Sequence, residues 1–244
     1  MPISEVVPGI QRMWFPGIDN NAFLIAGDPA SDEPTLVDVG PPGGLAQIAS
    51  AVRRTGLAPR GVGHVAVTHH HTDHTGSLAR VAAATGATVY AGAADSGIVR
   101  EGAERPRGSA HGPLGRLMLA LPRGSSLADP AAVHVEVADG QEIPAAGGLR
   151  CLHTPGHTGG HVSYLLPGRA GGVLFVGDAA ANMLHWLDLA PLNEDLAAAR
   201  ASFARLAELE YEVACFGHGS PIRHRAAARF RRRVERVAGG SPPA

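Results

Sequence analysis

The chain has 244 residues, 45% hydrophobic and 18% charged, a globular composition that excludes extended disorder. Its formal net charge of -1 at pH 7 provides no field to gather nucleic acid or an acidic membrane, so neither partner is expected. The length fits one domain over residues 1–238, followed by a flexible tail at 239–244.

The predicted elements begin as a meander. Strands at Ile10–Phe15, Ala22–Ala26 and Thr35–Val39 are separated by the breakers Pro16-Gly17 and Gly27-Asp28-Pro29. Apolar residues Leu45, Ile48, Ala49 and Val52 then recur at helical spacing between Gly43 and Thr55. A strand over Val62–Thr68 precedes the run His69-His70-His71-Thr72-Asp73-His74. Beyond it the pattern predicts a helix at Ser77–Thr85, a strand at Ala87–Ala91 and a helix at Ala93–Arg100. Residues 101–131 are rich in Pro, Gly and Ser around a helical stretch near Leu114–Leu121, and read as a lid or insertion. Strands resume at Val133–Val137, Leu149–His153, Val162–Leu166 and Val173–Val176, followed by a helix over Asp195–Leu209, a strand at Val213–Phe216 and an Arg-rich final helix. The second half repeats the grammar of the first, which predicts an α/β fold with two facing sheets covered by helices, a four-layer α/β/β/α sandwich.

Cys151 and Cys215 lie far apart in apolar surroundings and are expected as buried, reduced thiols. The N-terminus has no signal-like pattern, and no run of about 18 apolar residues follows it. A cytoplasmic location is the resulting expectation.

The six-residue histidine run carries the chemistry. In extended chain, residues two apart project to one side, so His69 and His71 can share a metal while His70 points away. Asp73 and His74 offer a second pair of ligand atoms at the turn into the next helix. Three later candidates, His157, Asp178 and His218, each follow a predicted strand beside a glycine. Imidazole and carboxylate without thiolate suit zinc, iron or manganese. His161 opens a strand after His157 and could support that loop, and His185 and Trp186 could border the pocket.

The order HxHxDH, His, Asp, His resembles the metallo-β-lactamase-fold hydrolase superfamily, with the likeness running from Asp38 to about Ile222. The resemblance implies that His69, His71 and His157 hold one divalent metal, that Asp73, His74 and His218 hold a second, and that Asp178 bridges them. Zinc is the implied metal, with iron or manganese as alternatives. Asp38 would support a ligand loop. Two metals sharing a carboxylate would activate a bridging water as hydroxide for attack on a carbonyl, with Asp73 or a metal-bound water helping to protonate the leaving group.

The branch is narrowed by what the motifs share and lack. A bridging aspartate argues against a true β-lactamase. The run at residues 154–161 is similar to glyoxalase II-like thioesterases and to acyl-homoserine lactone lactonases, although a tyrosine common in lactonases three residues beyond the aspartate is Ala181 here. Only one helix follows Pro221, which argues against the glutathione-holding domain of glyoxalase II. The expected substrate is a small ester, thioester or lactone. An iron-dependent persulfide dioxygenase, a phosphodiesterase and a non-catalytic metal-binding module are the alternatives. The arginines at 229, 231, 232, 233 and 236 read as a solvated helix face, or as a surface for an anion.

Overall fold

The computed structural model describes residues 3–17, 19–27, 33–56, 61–103, 108–120 and 128–238. The opening meander comprises β1 (Ile3–Val7), β2 (Ile10–Phe15), β3 (Asn20–Ile25) and β4 (Thr35–Val37), each antiparallel to the next. Helix α1 (Leu45–Arg54) then crosses over, so that β5 (His64–Ala66) runs parallel to β4. The short α2 (Thr72–Thr75) and α3 (Leu78–Thr85) lead to β6 (Thr88–Gly92), parallel to β5. Next come α4 (Ala93–Glu101), β7 (Ser109–Ala110), α5 (Gly112–Ala120) and β8 (Val135–Val137). Strand β8 closes a seven-stranded sheet ordered β1-β2-β3-β4-β5-β6-β8.

The second half supplies β9 (Glu142–Ile143), β10 (Leu149–His153), β11 (Val162–Leu166) and β12 (Val173–Gly177). A hairpin of β13 (Ala181–Met183) and β14 (Trp186–Asp188) is followed by β15 (Leu192–Asn193), α6 (Leu196–Ala207), β16 (Val213–Phe216) and α7 (Ala226–Ala238). Of these, β9 to β12 and β16 form a five-stranded sheet ordered β16-β12-β11-β10-β9, with β16 parallel to β12.

Period-two alternation sorts the core into layers. Along β3, Ala22 and Leu24 pack on the first helical layer with Ile48 of α1 and Val81 of α3. Phe23 and Ile25 face the other sheet, meeting Tyr164 and Phe175. Along β12, Val173 and Phe175 join that central layer, whereas Leu174 and Val176 pack under Phe203 of α6 and Phe230 of α7. Three apolar interfaces thus separate four layers, α/β/β/α, as the sequence predicts.

The ligand-type residues follow strand ends: His69–His74 follow β5, His157 follows β10, Asp178 follows β12 and His218 follows β16. One difference from the expected strand at Val62–Thr68 is instructive. The regular ladder ends at Ala66, and the backbone N–H of Thr68 turns instead to the Asp38 carboxylate at 2.8 Å. That bond peels the histidine run away from the sheet. Strand β1 and the β13–β14 hairpin were not expected. Asp28 and Pro29, Glu104–Arg107, Leu121 and the tail at 239–244 lie outside the described residues.

Candidate metal centre

The seven predicted ligands meet on one rim. Their donor atoms fall into three overlapping groups: His69, His71 and His157; His69, His74 and Asp178; and Asp73, His74 and His218. Within the first, His71 Nδ1 lies 3.1 Å from His69 Nε2 and 2.9 Å from His157 Nε2. Within the last, Asp73 Oδ2 lies 3.2 Å from His218 Nε2 and 3.6 Å from His74 Nε2. Asp178 faces both, with Oδ2 at 3.4 Å from His157 Nε2 and 3.3 Å from His218 Nε2, and Oδ1 at 3.6 Å from His74 Nε2.

These separations test the fit of a metal. Bonds of about 2.0–2.1 Å at tetrahedral angles place neighbouring nitrogen or oxygen ligands about 3.3 Å apart. The observed edges cluster around that value. Moreover, among the described residues Asp178 Oδ1 is buried without a hydrogen-bond partner, a costly arrangement unless a cation satisfies it.

Hydrogen bonds behind the rim set the imidazole tautomers. The Thr68 hydroxyl donates to Asp38 Oδ2 at 2.8 Å and so must accept from His69 Nδ1 at 3.0 Å. That leaves the His69 Nε2 lone pair facing the centre. His157 donates from Nδ1 to the Leu192 carbonyl at 2.7 Å, again freeing Nε2. His74 Nδ1 is 2.8 Å from Asp38 Oδ2. Asp38 therefore serves two ligands, and it does so from a left-handed backbone, φ 57°, that residues other than glycine rarely adopt.

Burial and neighbouring charge divide the imidazoles. His69 and His71 are pushed well below the ordinary range, first by burial and then by adjacent imidazoles. His157 is lowered too, chiefly by burial. For His74 burial is also the largest single effect, yet Asp73, Asp178 and Asp38 together outweigh it and raise the group to about 9. His218 is raised well above the ordinary value, as Asp178 and Asp73 overcome its burial. Asp178 is held well below the carboxylate range despite burial, by His218, His74 and His157, and Asp73 is lowered, again despite burial, by His74 and His218. One side of the rim is ready as neutral ligands, and the other holds buried carboxylates that require positive charge.

His161 stands behind the rim. Its Nε2 accepts from the Asp178 N–H at 2.9 Å, so Nδ1 donates to Thr154 Oγ1 at 2.8 Å. The Thr154 hydroxyl in turn donates to Ser163 Oγ at 3.0 Å, which donates to the Val176 carbonyl at 2.9 Å. Burial keeps His161 neutral, lowering it to about 3. Gly217 is required by contact: a Cβ there would overlap Asp178 Oδ1 and come within 2.7 Å of His74 Cε1.

Several functional neighbours escaped the sequence reading. Asp95, 1% exposed, ties the two ligand loops by accepting from His70 N at 2.9 Å, Thr158 Oγ1 at 2.7 Å and Gly160 N at 2.8 Å. His70 turns away from the rim, with Nδ1 3.1 Å from Asp95 Oδ2. Asn20 places Nδ2 3.1 Å from His74 Nε2. Its only local signal is a polar pair, Asn20-Asn21, opening an apolar strand. The described part of the 101–131 segment packs beside the ligand that follows β10, because β7 pairs with β15, whose Leu192 carbonyl holds His157. His185 and Trp186 border a different cavity, shared with α7 arginines. Cys151 and Cys215 are free and buried, and burial pushes the Cys151 thiol up to about 12. Among the described residues no helix is long and apolar enough to cross a membrane.

Fold and rim together define an α/β/β/α protein with a histidine- and aspartate-lined centre suited to metal. Residues 16–218 match the profile of the metallo-beta-lactamase superfamily, and the chain belongs to that family. It is 30% identical to a hydroxyacylglutathione hydrolase of Acidiphilium cryptum over 89% of this chain and 70% of that protein. A hydroxyacylglutathione hydrolase of Cupriavidus taiwanensis is 34% identical over 56% of this chain and 42% of its own length. The chain spans about half the length of the first such relatives. Among solved structures, a metallo-beta-lactamase family protein of Thermus thermophilus superposes with a TM-score of 0.70 at 24% identity, covering 96% of this chain and 81% of that one. That likeness concerns the fold.

Proposed function

We propose that the chain is a metal-dependent hydrolase of a small carbonyl substrate, an ester, thioester or lactone, with thioesters favoured. The observation that carries this reading is Asp178, whose two oxygens face both ligand groups and whose Oδ1 has no protein hydrogen-bond partner. In this reading His69, His71 and His157 would hold one divalent ion and Asp73, His74 and His218 another, with Asp178 available to both. Zinc suits this donor set. Bound there, the ions supply Lewis acidity and lower the pKa of water toward neutrality.

The chain's own groups do the rest. Thr68 and Leu192 hold His69 and His157 in the neutral tautomer that offers Nε2. The Asp178 backbone N–H is fixed by His161, which keeps the carboxylate aimed at the rim. Asp73 is partly exposed, and in this reading it, or a water beside it, helps to protonate the leaving group. The thioester preference is supported by the hydroxyacylglutathione hydrolases among the relatives.

Metal quantification on the purified chain, combined with a panel of thioesters, lactones, aryl esters and bis-nitrophenyl phosphate, tests the reading. About two metals per chain are expected, as two-metal hydrolysis requires, and Asp178→Ala should lower both occupancy and rate. A single iron with oxygen uptake, or full occupancy and rate in Asp178→Ala, would overturn it.

A further inference from the structure

A second cluster of charge lies away from the metal rim. On α7, Arg229, Arg232, Arg233 and Arg236 recur at i, i+3, i+4 and i+7, which places them in one stripe along the helix. An adjoining face docks through Phe230 onto Phe203 and Phe216. The stripe faces the β13–β14 hairpin, and between them is an open cavity of about 330 Å3 lined by these four arginines with His185, Trp186 and Leu187.

The cationic charge there is largely uncompensated. Arg233 pairs through Nη2 with Asp188 Oδ2 at 2.7 Å, but its Nε is buried without a partner. Arg229 reaches, among the described residues, only the His185 carbonyl, at 3.4 Å. Among the described residues Arg232 and Arg236 form no ion pair or hydrogen bond, whereas Arg231, off the stripe, pairs with Glu210 at 2.7 Å. Like charges at i, i+4 repel on a helix, and here two such pairs are stacked in a chain whose net charge is -1. A bound anion would offset that repulsion.

The opposite wall adds an aromatic surface. Trp186 is 39% exposed, and the turn before it holds Leu184 and His185 at φ 51° and 63°, a two-residue turn that normally selects Asn or Gly. Guanidinium forks bind phosphate through paired N–H groups and also stack on flat rings. The cavity lies near the low end of small-molecule clefts, about 300–1,000 Å3, and its basic stripe is confined to two turns of one helix. Both features favour a compact ligand over a nucleic-acid strand, which needs an extended basic track.

We propose that the α7 arginine stripe and the Trp186 hairpin form a binding site for a small phosphorylated compound bearing a planar ring, of the nucleoside diphosphate class. Calorimetric titration of the metal-loaded chain with ADP, pyrophosphate and adenosine tests it. Saturable ADP binding at one site per chain is expected, weakening as salt rises. Arg232→Glu/Arg236→Glu, at two exposed positions, should weaken ADP and pyrophosphate at least about tenfold while leaving basal hydrolysis and metal content unchanged. Trp186→Ala should weaken ADP about fivefold or more through lost stacking and leave pyrophosphate unaffected. If the charge swap unfolds the chain, Arg232→Gln/Arg236→Gln replaces it. The proposal is overturned by absent ADP binding, by ADP binding that ignores these arginines and so lies on the metal rim, or by sulfate competing as well as ADP at equal ionic strength. Tighter, Arg232- and Arg236-dependent capture of an oligonucleotide or of anionic vesicles would also overturn it.

Discussion

Asp95→Asn isolates the clamp between the two ligand loops. Asp95 Oδ2 accepts from His70 N and Thr158 Oγ1, and Oδ1 accepts from Gly160 N. An asparagine that keeps its oxygen toward Gly160 turns an NH2 group toward His70 N–H and Thr158. The hydroxyl can rotate, but the His70 N–H is left without its charged acceptor, a loss of about 1.5–3 kcal/mol. A second route gives a similar figure. Burial alone would raise Asp95, yet the His70 imidazole above all, then Thr158 and the His70 backbone N–H, bring it from 3.8 to about 2, worth roughly 2 kcal/mol in the ionised state. Because the folded value is depressed, this stability is complete above the ordinary value near 4 and disappears as pH falls toward 2. Urea unfolding of wild type and Asp95→Asn should therefore differ by roughly 2 kcal/mol at pH 7 and converge in acid. Zinc affinity, measured by competition with a chromophoric chelator, should fall by about tenfold or more because both loops lose their common anchor. A stability difference that persists unchanged to pH 2, or wild-type stability together with wild-type zinc affinity, would refute the clamp.

The remaining predictions concern contact and packing. Gly217→Ala forces a methyl group against Asp178 Oδ1 and His74, so metal occupancy should drop with a stability cost of about 1–3 kcal/mol; unimpaired metal uptake would show that the rim yields freely. Phe230→Ala removes a fully buried ring from contact with Phe203, Phe216 and Tyr211. The cost should be about 3–5 kcal/mol in denaturant unfolding, and a loss under about 1 kcal/mol would mean that α7 is not held by this cluster.

Alternation and helical spacing in the sequence determined the two strand-rich halves, their covering helices and hence the four layers. The HxHxDH run and three strand-end positions also identified the residues that converge on the rim, since each is short-range: a ligand-type side chain beside a glycine after an apolar run. The arginine stripe at 229, 232, 233 and 236 was legible as spacing, although what it faces was not. Only tertiary structure decided the contacts between distant segments. Asp95 reads locally as an acidic residue in the first turn of α4, and its partners lie 25, 63 and 65 residues away. Asn20, the Leu192 carbonyl and the Trp186 wall are of the same kind. Periodicity records which face of an element is buried, but it carries no trace of which polar atom waits on the other side of the fold, and it is those long-range bonds that orient the ligands the motif supplies.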